Sequence, residues 1–199
     1  MKLNQMTGWF SVLTTAGCLL AALPAQGQFG GLLNKIPGVG GGAVVDGGAF
    51  LKQLSPGAAD FAKAYSLYYE GLGESDKATK LATKAKALRD GGDQFDKAAN
   101  VLMEGARTNI QEILKQKTEF DDQARAKFSE GNKAFREGMV KWTVVSAAVS
   151  YVLAKNPKAA LTNPDLALAA TACVKGLGEM TKFVGVMEEV SKAKREANK

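Results

Sequence analysis

From residue 55 to the end of the chain, apolar residues recur at spacings of three and four, the period that gathers them on one face of an α-helix. Ser55-Pro56 has the form of an N-cap followed by the residue favoured at the first helical position. Phe61, Tyr65, Tyr68 and Leu72 then fall on one stripe, and Gly71 and Gly73 end the helix. Ser75 caps a second helix, in which Ala78, Leu81, Ala82, Ala85 and Leu88 face inward and Lys77, Lys80 and Lys84 face water, until Gly91-Gly92 stops it. These two predict an antiparallel hairpin. A third helix is expected from Asp93 to near Lys117, with Phe95, Ala98, Leu102, Ala106, Ile110 and Ile113 inward. Thr118 to Asp121 has the form of a capping box, so a fourth helix is expected from about Glu119 to Lys155, roughly 55 Å at 1.5 Å per residue. Asn156-Pro157 breaks it. Asn163-Pro164 starts the last helix, where Leu166, Ala170, Cys173, Leu177, Met180, Val184 and Met187 alternate spacings of four and three. That heptad seam suits nearly parallel packing, and the expected fold is all-α, a single bundle of four to five helices.

The first hairpin, residues 62–88, resembles a single tetratricopeptide unit in the relative spacing of Tyr69, Ala78 and Ala85. The resemblance implies a helical hairpin and nothing about function. Thirty-four residues on, the matching positions hold Glu112 and Glu119, so no repeat array is expected.

Within the fourth helix the stretch FSEGNKAFREGMVKW nearly repeats itself after seven residues. Phe128, Phe135, Trp142 and Val149 recur at one heptad position, with Gly131, Gly138, Val145 and Val152 three residues after each. Two interior glycines cost a helix roughly 2 kcal/mol, and something must offset that. A facing helix could use the space, or an apolar ligand could lie in a groove between the rings. The expected groove is lined by Phe128, Gly131, Phe135, Gly138 and Trp142, with Met180, Phe183 and Met187 opposite and Tyr65 and Tyr69 from the first helix. Methionine adapts to irregular apolar shapes and tyrosine offers a polar end. Residues 142–153 continue the helical register and are too few to cross a bilayer, which needs about 20 apolar residues.

Composition settles the surroundings. Lys2, the uncharged run Trp9 to Leu23 and the small residues around Ala25-Gln26-Gly27 have the layout of a secretory signal over residues 1–27. A second reading has Cys18 lipidated after Thr15-Ala16-Gly17, which would anchor the chain to a membrane. Residues 28–54 are rich in glycine around Pro37 and read as a flexible tether, with 55–199 as the bundle domain. No G-K-[ST] follows the glycines, so they are not a phosphate loop. The expected location is the periplasm or outside the cell, and nucleic acid is not an expected partner.

Beyond the signal one cysteine, Cys173, remains, so no internal disulfide is available and packing must hold the fold. Lys2 is the only charge in residues 1–27, which leaves 25 basic against 20 acidic residues, a net +5 interleaved along the chain. That mild excess allows peripheral contact with an anionic membrane. Histidine is absent, which removes the commonest general base and metal ligand. Ser191 and Lys194 have a Ser-x-x-Lys spacing but lack its companion motifs, and Glu119, Asp121 and Asp122 suit a helix start. No catalytic residue, metal or cofactor is therefore expected. The expected function is a non-enzymatic exported protein that binds a hydrophobic small molecule, most plausibly a lipid, for transfer in the bacterial envelope. The alternative is an interaction or assembly factor of the envelope with no small-molecule ligand.

Overall fold

A computed structural model describes residues 46–91, 95, 97–116 and 120–197, with the backbone alone at 97–102 and 186–197. The proposed signal and most of the tether lie outside these residues. Among those described there are six helices and no strand: α1 Gly47–Leu72, α2 Ser75–Arg89, α3 Lys97–Gln116, α4 Asp122–Lys155, α5 Ala159–Thr162 and α6 Pro164–Ala197. The chain is all-α as the periodicity predicts, with the single-turn α5 added to five longer helices.

The first helix begins earlier than Ser55-Pro56 suggests. Asp46 is its N-cap and accepts from the Ala49 N–H at 3.1 Å, and Phe50, Leu51 and Leu54 are buried, so the stretch assigned to the tether from residue 47 onward is helix. Pro56 sits inside α1 and is exposed, where water can satisfy the carbonyl it cannot serve. Ser55 is not a cap. Its hydroxyl donates to the Leu51 carbonyl at 3.1 Å and accepts from the Phe95 N–H at 2.8 Å, tying the start of the third helical region to α1. At the other end Gly73, with φ +81°, takes the left-handed turn. Its N–H and that of Glu74 return to the carbonyls of Glu70 and Tyr69, a double C-cap that folds α2 back on α1. Asp121 is the N-cap of α4, accepting from the Ala124 N–H at 2.7 Å, and Thr118 of the expected capping box lies outside the described residues. Asn163 caps α6 as expected, accepting from Leu166 N–H at 3.0 Å.

Helices α1 and α4 form the most extensive contact in the molecule. Small residues seven apart meet across it. A methyl group added at Gly138 would stand 2.9 Å from the Phe61 ring and 3.1 Å from the Gly57 carbonyl oxygen. At Gly131 it would stand 2.8 Å from the Tyr68 ring and 3.2 Å from the Ala64 carbonyl, and at Gly71 2.8 Å from the Phe128 ring and 3.1 Å from the Ala124 carbonyl. Gly57, Ala64 and Gly71 of α1 thus run antiparallel to Gly138, Gly131 and Ala124 of α4, backbone close to backbone. The rings flanking this seam join in a chain through the bundle. Phe120 meets Phe128 at 5.0 Å, and the contacts continue through Tyr68, Phe183, Phe135, Phe61 and Trp142 to Phe95, none longer than 6.1 Å. Phe183 of α6 stands in the middle.

The last helix departs in one detail from its predicted seam. Leu166, Ala170, Cys173 and Met180 are buried, but Phe183 takes the next core position and Val184 is 36% exposed. A straight helix drifts by about 20° per heptad against a 3.5 repeat, enough to hand the position to the neighbour.

Two glycine substitutions of opposite sign test this packing. Gly138→Ala is expected to lower stability in urea by about 1–3 kcal/mol, because the methyl must displace Phe61 or α1. Gly178→Ala, where a methyl would meet nothing within 4 Å, is expected to raise stability by up to about 1 kcal/mol. Equal effects at both positions would reject the close seam.

Candidate functional site

The residues expected to line a groove are brought together, but as interior. Phe128, Phe135, Trp142, Met180, Phe183 and Tyr65 are all buried in one cluster, and Gly131 and Gly138 face α1 across the close seam. The space that the glycines leave is filled by Tyr68 and Phe61. Tyr69 belongs to the same buried cluster and meets α3, where its hydroxyl reaches Asn109 Oδ1 at 3.0 Å and the Ala106 carbonyl at 3.3 Å. Met187 belongs to the part of α6 described by backbone alone. The sequence offered a signal for this outcome in the matching small residues at 57, 64 and 71, which answer 138, 131 and 124 at the same period.

A small pocket of about 20 Å³ lies where α1, α3, α4 and α6 converge. Phe61 and Tyr65 of α1, Met103 and Glu104 of α3, Trp142 of α4 and Gly176, Glu179 and Met180 of α6 line it. Room of that size suits one water molecule. Trp142 is 1% exposed, and its Nε1–H has no acceptor among the described residues, an omission that costs free energy in a buried site. The indole lies directly on α6, since a methyl added at Gly176 would fall 2.5 Å from that nitrogen. Burial, aided by the nearby Tyr68 hydroxyl, pushes the Tyr65 phenol well above its ordinary value of 10.0, so it stays neutral.

Beside this cavity Arg107 of α3 pairs with Glu179 of α6 and donates to Gln111 Oε1 at 2.5 Å, with side chains only 11% and 20% exposed across the pair. Lys182 also donates to Glu179, at 2.9 Å. Burial tends to raise the Glu179 pKa, but the hydrogen bonds from Lys182 and Arg107 and their charges outweigh it, holding the carboxylate below its ordinary 4.5. A second buried carboxylate, Asp60 of α1, accepts from Arg89 of α2 at 3.1 Å and from Lys141 of α4. It binds three helices together. The groove between α1 and α2 is larger, about 320 Å³, and all its charged lining residues but Lys63 are in ion pairs among the described residues. Arg89 serves Asp60, Lys86 serves Asp90 at 2.6 Å, and Glu70 holds Lys127 at 2.7 Å.

Cys173 is buried, and desolvation pushes its thiol up to about 12 despite the hydrogen bond with Ser146. Such a thiol carries almost no thiolate at neutral pH. Among the described residues no group of three or more His, Cys, Asp or Glu stands close enough to hold a metal, and no helix is long and apolar enough to cross a membrane.

The solvent face of α4 was not singled out by the sequence reading. In its first half that face presents Glu130, Lys133, Arg136 and Glu137, all exposed. From Val140 onward it presents Val140, Val144, Ala147 and Tyr151 at spacings of four, three and four, with Val140 52% and Tyr151 45% exposed. No charged residue occurs between Lys141 and Lys155. The signal was visible as a charge-free run, but a buried helix would read the same way.

No protein-family model, curated protein or solved structure matches this chain. Its functional reading therefore rests on its own geometry.

Two measurements check this description. Cys173 is expected to resist alkylation in the folded protein and to react fully in denaturant, read by mass spectrometry; ready labelling of the native state would contradict its burial. Because Glu179 has a lower pKa folded than unfolded, its stabilising contribution is present above pH 4.5 and lost as pH falls below it. Glu179→Gln should accordingly flatten the acid limb of the stability curve while leaving less change in slope near neutrality.

Proposed function

We propose that this chain is a non-enzymatic interaction protein of the bacterial envelope, in which the bundle core is structural and the working surface lies on the outer face of α4. The observation that carries this reading is the change along one solvent-facing helix from charge to a stripe of Val140, Val144, Ala147 and Tyr151. Exposed apolar residues are ordinary one at a time, whereas a contiguous stripe marks an interaction site. The signal-like residues 1–27 support export.

A second reading, binding of a lipid or similar hydrophobe, keeps one specific observation in its favour. The unpaired Trp142 N–H could donate to a ligand oxygen, beside Tyr65, Met103 and Met180. A cavity of about 20 Å³ holds no acyl chain, so this reading requires α3 to move away from α6 and the Arg107–Glu179 pair to open.

The two readings separate experimentally. A photoreactive amino acid at position 151, compared with one at the charged position Lys80, is expected to give protein adducts in the intact envelope only from 151. Absence of adducts from 151 would remove the interaction reading. Native mass spectrometry of the protein purified from its envelope, with organic extraction, is expected to show the bare chain. A retained lipid that also quenches Trp142, the one tryptophan outside residues 1–27, would instead promote the second reading.

A further inference from the structure

The stripe on α4 is self-complementary. Resting on the interaction reading above, we propose that its partner is a second copy of this chain, packed antiparallel through α4 about a two-fold axis level with residues 145 and 146. In that register Val140 of one copy meets Tyr151 of the other and Val144 meets Ala147, so each layer sets a larger side chain against a smaller one. The spacing of four, three and four is that of a heptad seam, which keeps such a face in contact along its length. A two-fold interface uses the same patch on both copies, so every contact occurs twice.

Charge fixes this register. Glu137 lies one step before Val140 on the same face, and Lys155 is the last residue of α4. Glu137 has no ion pair among the described residues, while Lys155 leans over the Tyr151 ring at 5.8 Å from its centre. The antiparallel register brings Glu137 of each copy level with residues 154 and 155 of the other, on the same flank, so two Glu137–Lys155 pairs bracket the apolar layers. A parallel pairing would set Glu137 against Glu137 and Lys155 against Lys155. The seam from Val140 to Tyr151 is about 17 Å long at 1.5 Å per residue. It buries less than the about 800 Å² per partner common in stable dimers. The association is therefore weak and concentration-dependent.

The test is sedimentation equilibrium of the exported protein, unmodified and with exchanged charges. The unmodified protein is expected to move from monomer toward dimer mass as its concentration rises. Glu137→Lys and Lys155→Glu are each expected to weaken association about tenfold, equivalent to about 1.4 kcal/mol, by bringing like charges together. The double variant is expected to restore it. Both residues are exposed, so circular dichroism should be unchanged in all three. A monomer at every concentration reached, or a double variant no better than the singles, overturns the proposal. Adducts from position 151 distinguish the two levels of failure. An adduct of twice the chain mass supports the second copy. Adducts only with other proteins overturn it while leaving the interaction reading intact, and no adduct at all removes both.

Discussion

The close antiparallel seam between α1 and α4 is the constraint from which the rest of this bundle follows. Three pairs of small residues, Gly57 with Gly138, Ala64 with Gly131 and Gly71 with Ala124, let the two backbones approach until a single added methyl would strike a ring or a carbonyl oxygen. Large side chains cannot occupy that line, so Phe61, Tyr65, Tyr68, Phe128, Phe135 and Trp142 are displaced to its flanks. There they meet one another and receive Phe183 from α6. The helix propensity forfeited by the glycines is offset by dispersion contacts among rings held at close range. A seven-residue repeat on both helices makes this offset accumulate along the seam.

Polar groups inside the bundle fix which helix goes where. Apolar faces slide against each other at little cost, but a buried carboxylate tolerates few arrangements. Asp60 must have Arg89 and Lys141 near it, which sets α2 and α4 relative to α1. Glu179 must have Arg107, which sets α3 against α6. Ser55, Ser66 and Tyr69 add hydrogen bonds from α1 to Phe95, to the Ala78 carbonyl and to α3. All but the Arg107–Glu179 pair originate on α1. The Trp142 N–H stands outside this pattern of satisfied groups, and it is the one buried side-chain donor among the described residues without a partner.

Function, by contrast, is read from the surface. The interior is committed to packing, and its ionisable groups are either paired or held neutral by burial. The outer face of α4 carries an apolar stripe that continues a charged face without a break in the helix. Helix α4 thus has two seams on opposite sides. The inner one is narrow and built from small residues, and the outer one is short and built from branched and aromatic residues bounded by Glu137 and Lys155.

Period and punctuation in the sequence were enough to determine the helical class, the hairpin of α1 and α2, the turn at Gly73, the end of α4 at Lys155 and the cap at Asn163, because each depends on residues within a few positions of one another. The heptad of rings and glycines in α4 was equally legible, but its meaning was not. The same spacing describes a groove that admits a ligand and a seam that admits a helix, and only the presence of Gly57, Ala64 and Gly71 across the gap decides between them. Tertiary contact also extended α1 back to Gly47, since burial of Phe50, Leu51 and Leu54 outweighs what Ser55-Pro56 suggests locally. It gave the core position to Phe183 over Val184, because helical drift matters only against a neighbour. Local order was written in the chain's own period, whereas the use of each face depended on what another helix, distant in sequence, brought to meet it.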